Sequence, residues 1–217
     1  MYTSSVMLLE HKLTYTDFFN AIEWAVRETY PDTIPVIGMG SGADSGTIAA
    51  ALWSLGKQFK VCSLEGSENL DVLYKRLDIL DKDAIIVPPL NDHQITNTFT
   101  DMEDAGFVQG KGTGIGAALS HFVLGSKVSG SHLYSGLGTD EFYTEDLEKL
   151  VVFMWRCHQA YNHFNIKTIF PLLKPIVFTE YYCLHPDLRL YYKQPFLEYC
   201  KSKDFPIDDS KKNFYCY

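Results

Sequence analysis

Ile34-Pro35-Val36-Ile37-Gly38-Met39 runs directly into Gly40-Ser41-Gly42-Ala43-Asp44-Ser45-Gly46, and Thr47 to Leu55 follows as an apolar stretch closed by Gly56. The first six residues are apolar and rich in β-branched side chains, which predicts a short buried strand. The glycines permit a tight turn with backbone N–H groups pointing inward. Ile48, Ala49, Ala50, Ala51 and Leu52 then predict a helix. Strand, glycine turn and helix in succession make an α/β unit whose turn lies at the carboxyl end of a strand, where ligands bind. Such a turn also opens onto a helix N-terminus that favours an anion.

The alternation extends in both directions. Upstream, Phe18, Phe19, Ile22, Ala25 and Val26 recur at helical spacing between Tyr15 and Glu28, with Thr16 as the expected N-cap and Pro31 as the stop. Downstream, strands are predicted at 59–64, 84–87 and 132–134, and helices over 69–80 and 115–128. The stretch from Asn91 to Gly112 carries no clear period. His132-Leu133-Tyr134 enters a second small-residue turn, Ser135-Gly136-Leu137-Gly138-Thr139-Asp140-Glu141. From Asp146 onward aromatic-rich segments with Trp155, Tyr161, Phe164 and Phe170 read as helical core and lid. The fold class expected is α/β, a largely parallel sheet flanked by helices with a helical C-terminal part. No linker, low-complexity tract or repeat interrupts the chain, so one unit over residues 1–217 is expected.

Composition narrows the function classes. The chain has 217 residues, 46% hydrophobic and 21% charged, which excludes a disordered tail, a collagen repeat or a coiled coil. A net charge of −8 argues against a broad electrostatic grip on nucleic acid or an anionic membrane, and leaves room only for a local anion pocket. Cys62, Cys157, Cys183, Cys200 and Cys216 form no CxxC pair, so reduced thiols in a cytoplasmic protein are expected rather than a zinc site or disulfide framework. The N-terminus lacks the basic and apolar regions of a signal peptide, and no stretch reaches the ~18 apolar residues of a membrane span.

Asp44 inside the first turn would repel a bare phosphate, so its presence suggests a divalent cation between carboxylate and phosphate, with Ser41 and Ser45 as hydroxyl donors. A plain turn rich in small residues is the alternative. Neither this turn nor Gly106–Thr113 satisfies the Walker A pattern, because Lys111 is followed by Gly112. Gly38, Gly40 and Gly42 give GxGxG, not the dinucleotide fingerprint GxGxxG. Lys111, in a glycine-rich stretch, is a candidate contact for a phosphate or a substrate carboxylate, beside the plainer reading of a solvated lysine. The seven histidines show no HExxH spacing and read as core or surface. Tyr181-Tyr182 and Tyr191-Tyr192 read as packing.

Gly40-Ser41-Gly42-Ala43-Asp44-Ser45 resembles the SGGxDS pyrophosphate loop of the N-type ATP pyrophosphatases, the PP-loop superfamily, and more specifically that of the asparagine synthetase synthetase domain. Ser63-Leu64-Glu65-Gly66-Ser67-Glu68-Asn69-Leu70-Asp71 is similar to that family's second strand and following helix start. Ser135 to Glu141 resembles its SGEGxDE loop, and Lys193-Gln194-Pro195-Phe196-Leu197-Glu198 its R-x-P-F-L-D segment. The blocks occur in the family's order over roughly Thr14 to Phe205.

The resemblance implies an adenine nucleotide alpha-hydrolase-like fold with a five-stranded parallel sheet, and an ATP-dependent, adenylate-forming amide synthetase. In that chemistry a carboxylate attacks the α-phosphorus of ATP, pyrophosphate leaves, and ammonia or an amine displaces AMP. By resemblance Asp44 and Asp140 would hold Mg²⁺ and act catalytically, with Lys111 as the further candidate. Gly40, Ser41, Gly42 and Ser45 would cradle pyrophosphate, Ser63 and Leu64 would meet adenine, and Ser135 and Gly136 would lie against the nucleotide.

The sequence departs from the family pattern at telling places. Leu137 stands where the family has a glutamate implicated in forming the acyl-adenylate, and Leu can neither move a proton nor bind a cation. Lys193 and Glu198 replace Arg and Asp with charge retained, although Lys lacks the bidentate guanidinium fork. Tyr2 stands where a glutaminase nucleophile would be, so no glutaminase domain is expected, and Lys211 and Lys212 are weak stand-ins for the family's C-terminal lysine. A nucleotide-binding regulatory module, or a subunit completed in trans by a glutaminase or another chain, is therefore the alternative. Self-association also stays open.

Overall fold

The computed structural model describes residues 11–107, 115–128, 132–137, 139–143, 147–191 and 193–208. Five strands form one sheet in the order β3-β2-β1-β4-β5, with every neighbouring pair parallel. They are β1 (Val36–Gly38), β2 (Lys60–Leu64), β3 (Ala84–Val87), β4 (His132–Tyr134) and β5 (Lys167–Ile169). The helices are α1 (Thr16–Glu28), α2 (Ala43–Ser54), α3 (Leu70–Leu80), α4 (Asp92–Asp104), α5 (Ile115–Lys127), α6 (Thr139–Tyr143), α7 (Leu147–His163), α8 (Pro175–Cys183) and α9 (Gln194–Ser202).

Consecutive strand residues serve opposite faces of the sheet, as the two-residue period requires. Ile37, Val61 and Tyr134 join the core shared with α1, α2, α3, α8 and α9, while Val36, Cys62 and Leu133 join that of α5 and α7. Both faces are thereby covered, which is why these strands read as continuous apolar runs. The chain grows outward from β1 to β2 and β3, then returns to lay β4 on the other side of β1. That reversal puts the carboxyl ends of β1 and β4 side by side, with a crevice between their loops.

Several boundaries differ from the sequence expectation, each for a physical reason. Helix α2 starts at Ala43 rather than Thr47, so Asp44 and Ser45 lie in its first turn and Gly42 is its N-cap. Tyr15, not Thr16, caps α1, and it offers no side-chain bond. Helix α4 lacked a period because Met102 is its one buried residue; a capping box between Asn91 and Gln94 holds its start instead. Strand β5 falls within a region read as helical. Lys167-Thr168-Ile169 is an edge strand with one apolar residue, too short to carry a pattern of its own. No helix among the described residues is long and apolar enough to cross a membrane.

Between α5 and α7, His121 Nδ1 lies 2.7 Å from the Tyr161 hydroxyl. Desolvation lowers its pKa to about 4 from an ordinary value of 6.5. A histidine that protonates less readily when folded contributes stability that is complete above pH 6.5 and is lost as pH falls toward 4. Urea unfolding is expected to show a stability loss of about 1–2 kcal/mol from this residue between about pH 7 and pH 4.5. In His121→Gln that part of the pH dependence should flatten.

Candidate functional site

The loop Gly40-Ser41-Gly42 leaves β1 and enters α2, and its backbone is held from behind by a buried arginine. Arg76 on α3 is fully buried and donates to the carbonyls of Gly40, Ser41 and Gly42, the latter two at 3.0 Å. Its Nε donates to Pro206 O at 2.7 Å. The Asp208 N–H also reaches Ser41 O, at 3.2 Å. Burial lowers the guanidinium pKa to about 10, which leaves it charged at neutral pH. With the carbonyls committed to Arg76, the loop's N–H groups are left to side-chain acceptors. Gly40 N–H donates to Ser45 Oγ at 3.0 Å.

Ser41 N–H donates to Glu68 Oε2 at 2.5 Å, and Ser41 Oγ donates to the same oxygen at 2.8 Å. A carboxylate thus sits on the amide that the sequence reading gives to a phosphate. The same carboxylate lies where a side chain on Gly40 would be, 2.6 Å from an ideal Cβ. Ser41 Oγ also accepts from Asn69 N–H, the N-cap of α3, at 3.2 Å.

The second loop meets the first head-on. A Cβ on Gly136 would stand 2.8 Å from Asp44 Cβ and 3.0 Å from Ser45 N, so only glycine lets the β4–α6 turn approach the head of α2. Ser135 N–H donates to Ile169 O, and Ser135 Oγ accepts from Leu137 N–H at 3.1 Å. Thr139 Oγ1 closes the turn on Gly136 O at 2.6 Å. Leu137 is half-buried beside these residues.

Asp44 on α2 and Asp140 on α6 are joined by the Lys193 ammonium, 3.1 Å from Asp44 Oδ2 and 3.0 Å from Asp140 Oδ1. Lys193 is 4% exposed and stands just before α9, which packs on α2. Burial, opposed by the Lys193 ammonium and helped by the Asp140 carboxylate, holds Asp44 up at about 7. Its Oδ1 is buried and finds no hydrogen-bond partner among the described residues. Such an oxygen calls for a proton or a cation. Among the described residues no group of three or more His, Cys, Asp or Glu could hold a metal alone. Mg²⁺, however, is held by one or two carboxylates together with substrate phosphates, and Asp44 with Asp140 fits that donor set.

Beside these loops, a cavity of about 450 Å³ opens at the carboxyl ends of β2 and β3. Leu64, Val87, Ile95, Leu119 and Val123 give it an apolar lining, and Ser120 is the polar side chain among its walls. Ser63, one residue before Leu64, is buried, and its Oγ finds no hydrogen-bond partner among the described residues.

Most of the sequence-predicted residues therefore converge: Gly40, Ser41, Gly42, Asp44, Ser45, Ser135, Gly136 and Asp140 come together where the β1 and β4 loops meet, and Leu64 lines the adjoining cavity, whereas Ser63 does not. Lys111, Gly138, Lys211 and Lys212 lie outside the described residues. Arg76 escaped the sequence reading, as did the ion-pairing role of Lys193 and the contact made by Glu68. Arg76 had left a trace: it interrupts the apolar stripe Leu73, Leu77, Leu80 on one face of α3, where a charge signals a buried task. No protein-family model and no curated protein matches the sequence.

Substitutions test this construction. Arg76→Met should lower stability by about 3 kcal/mol in chemical denaturation, because it removes four hydrogen bonds to carbonyls, of which only those of Ser41 and Gly42 keep another donor, Asp208 N–H and Gly46 N–H. Gly136→Ala should cost about 2 kcal/mol by forcing the two loops apart, whereas Gly42→Ala, whose methyl would meet nothing within 4 Å, should cost under about 1 kcal/mol.

Proposed function

We propose that the chain is an ATP-dependent, adenylate-forming amide synthetase of the asparagine synthetase type, built on a PP-loop fold. The observation that carries this reading is the meeting of the two small-residue turns at the neighbouring carboxyl ends of β1 and β4, with Asp44 and Asp140 joined through one buried lysine. Nothing in the packing of a plain strand-to-helix turn calls for two carboxylates at this crevice.

In this reading the phosphates of ATP lie over Gly40, Ser41, Gly42 and the head of α2, where loop amides and the helix end favour negative charge. The adenine occupies the apolar cavity that Leu64 lines, a volume of about 450 Å³ with few polar groups to demand partners. Asp44 and Asp140 would hold Mg²⁺, which neutralises charge on the departing pyrophosphate. A substrate carboxylate oxygen bonds to the α-phosphorus as the bond to pyrophosphate breaks, giving an acyl-adenylate. Ammonia or an amine then bonds to the acyl carbon, AMP leaves, and the nitrogen gives up its proton. The preorganised loop lowers the barrier because its donors need no rearrangement as charge moves.

Leu137 favours a second reading. The turn retains its geometry, with Leu137 N–H on Ser135 Oγ, but carries no carboxylate there to move a proton. A module that binds ATP or AMP without turning it over, or a subunit that receives its missing groups or nitrogen from a glutaminase or another chain, would keep this architecture.

Incubation of the protein with ATP, Mg²⁺ and a panel of carboxylates and amines should release pyrophosphate and AMP in equal amounts. Asp44→Asn should cut that release by about a hundredfold or more. Calorimetric binding of ATP with no product across the panel would replace the synthetase reading with the second one; absence of both binding and turnover would overturn both.

A further inference from the structure

We propose that the free site is closed by two of the chain's own charges, the Glu68 carboxylate on the Ser41 amide and the Lys193 ammonium between Asp44 and Asp140. A phosphorylated ligand and a divalent cation then enter only together. This inference rests on the nucleotide reading above and names what must leave for the ligand to bind.

The anion half is read from Glu68. One of its oxygens takes both the backbone N–H and the hydroxyl of Ser41, at 2.5 and 2.8 Å. Its carboxyl group fills the space beside Gly40, within 2.6–2.8 Å of where a Cβ would stand. A phosphate oxygen wants the same donors, so the two anions exclude one another. Glu68 sits on the connection between the 3₁₀ turn Glu65–Ser67 and the N-cap Asn69, outside any regular element. Its side chain can therefore leave without unwinding α3.

The cation half is read from Lys193. A compact ammonium stands within 3.1 Å of one carboxylate and 3.0 Å of the other, as a bridging metal ion would. A divalent cation arriving alone must push this buried ammonium away from the two carboxylates, which costs a desolvated charge those counter-ions. An anion arriving alone must displace Glu68 and face Asp44 across the same crevice. Arriving together, the cation takes the two carboxylates and the displaced ammonium meets the phosphate charge. Each partner removes the penalty of the other, which is positive coupling between two ligands at one site.

Binding separates the halves. Mn²⁺ alone is followed by electron paramagnetic resonance, ATP in EDTA by calorimetry, and the two together by either method. For the wild-type protein the affinity for Mn²⁺ with ATP should exceed that for Mn²⁺ alone by at least about tenfold, and ATP should show the same gain from Mn²⁺. Glu68→Gln, which keeps the shape and removes the charge, should tighten ATP in EDTA by about tenfold and leave Mn²⁺ alone unchanged. Lys193→Met should do the reverse, tightening Mn²⁺ alone by about tenfold. Should Lys193→Met fail to fold, the wild-type Mn²⁺ titration still decides that half. Wild-type binding of Mn²⁺ alone as tight as with ATP, or Glu68→Gln within twofold of wild type for ATP, would overturn the inference while leaving the nucleotide reading intact. No binding of ATP to any of the three proteins, with or without Mn²⁺, would overturn both.

Discussion

The buried guanidinium of Arg76 is the constraint on which the rest of the site depends. Three consecutive carbonyls of a glycine-rich loop point at one planar cation, and that cation is in turn fixed by Pro206 O and lies 5.3 Å from the Phe205 ring. Without it the loop would present a mixture of donors and acceptors to the crevice. With it the three carbonyls are committed to one cation. Gly46 completes the arrangement, because any side chain there would meet Arg76 at 2.5 Å. The glycines of the loop and of the helix it enters thus answer to two different neighbours, a carboxylate at Gly40 and an arginine at Gly46.

Sheet topology supplies the second half. Only the reversal that sets β4 beside β1 lets Gly136 press on the head of α2, and that contact brings Asp140 to the same ammonium as Asp44. The helices contribute by where they begin rather than where they run. Asp44 lies in the first turn of α2, Asp140 in the first turn of α6, and Lys193 immediately before α9. The two carboxylates are held by short side chains on helical backbone, which suits groups that must keep their geometry, while the charge between them rides on the longer stem of Lys193.

Much of this was legible in the sequence, and the limits were physical. The β1 turn, the second turn and both aspartates could be read because each turn directly follows an apolar run, and that local pattern survives without tertiary information. The strands β1 to β4 could be read from their apolar runs. Strand β5 could not, since an edge strand of three residues buries too little to leave a signature. Helix α4 could not, because capping and not an apolar face defines it. Glu68, Arg76 and Lys193 act over sequence separations of 27, 36 and 149 residues. Their partners are chosen by the fold, and no local window contains them.

The hold of Pro206 and Asp208 on the loop has a consequence for how the molecule is assembled. Pro206 follows Arg76 by 130 residues, so the last clamp on the β1 turn comes from one of the most distant parts of the chain. Contacts of that range pay their loop-closure entropy late. On a ribosome, β1, α2 and α3 are available long before their clamp, and the turn between them must wait, its carbonyls still shared with water, until the segment after α9 has emerged. Completion of the turn therefore reports that α9 and the segment after it have docked.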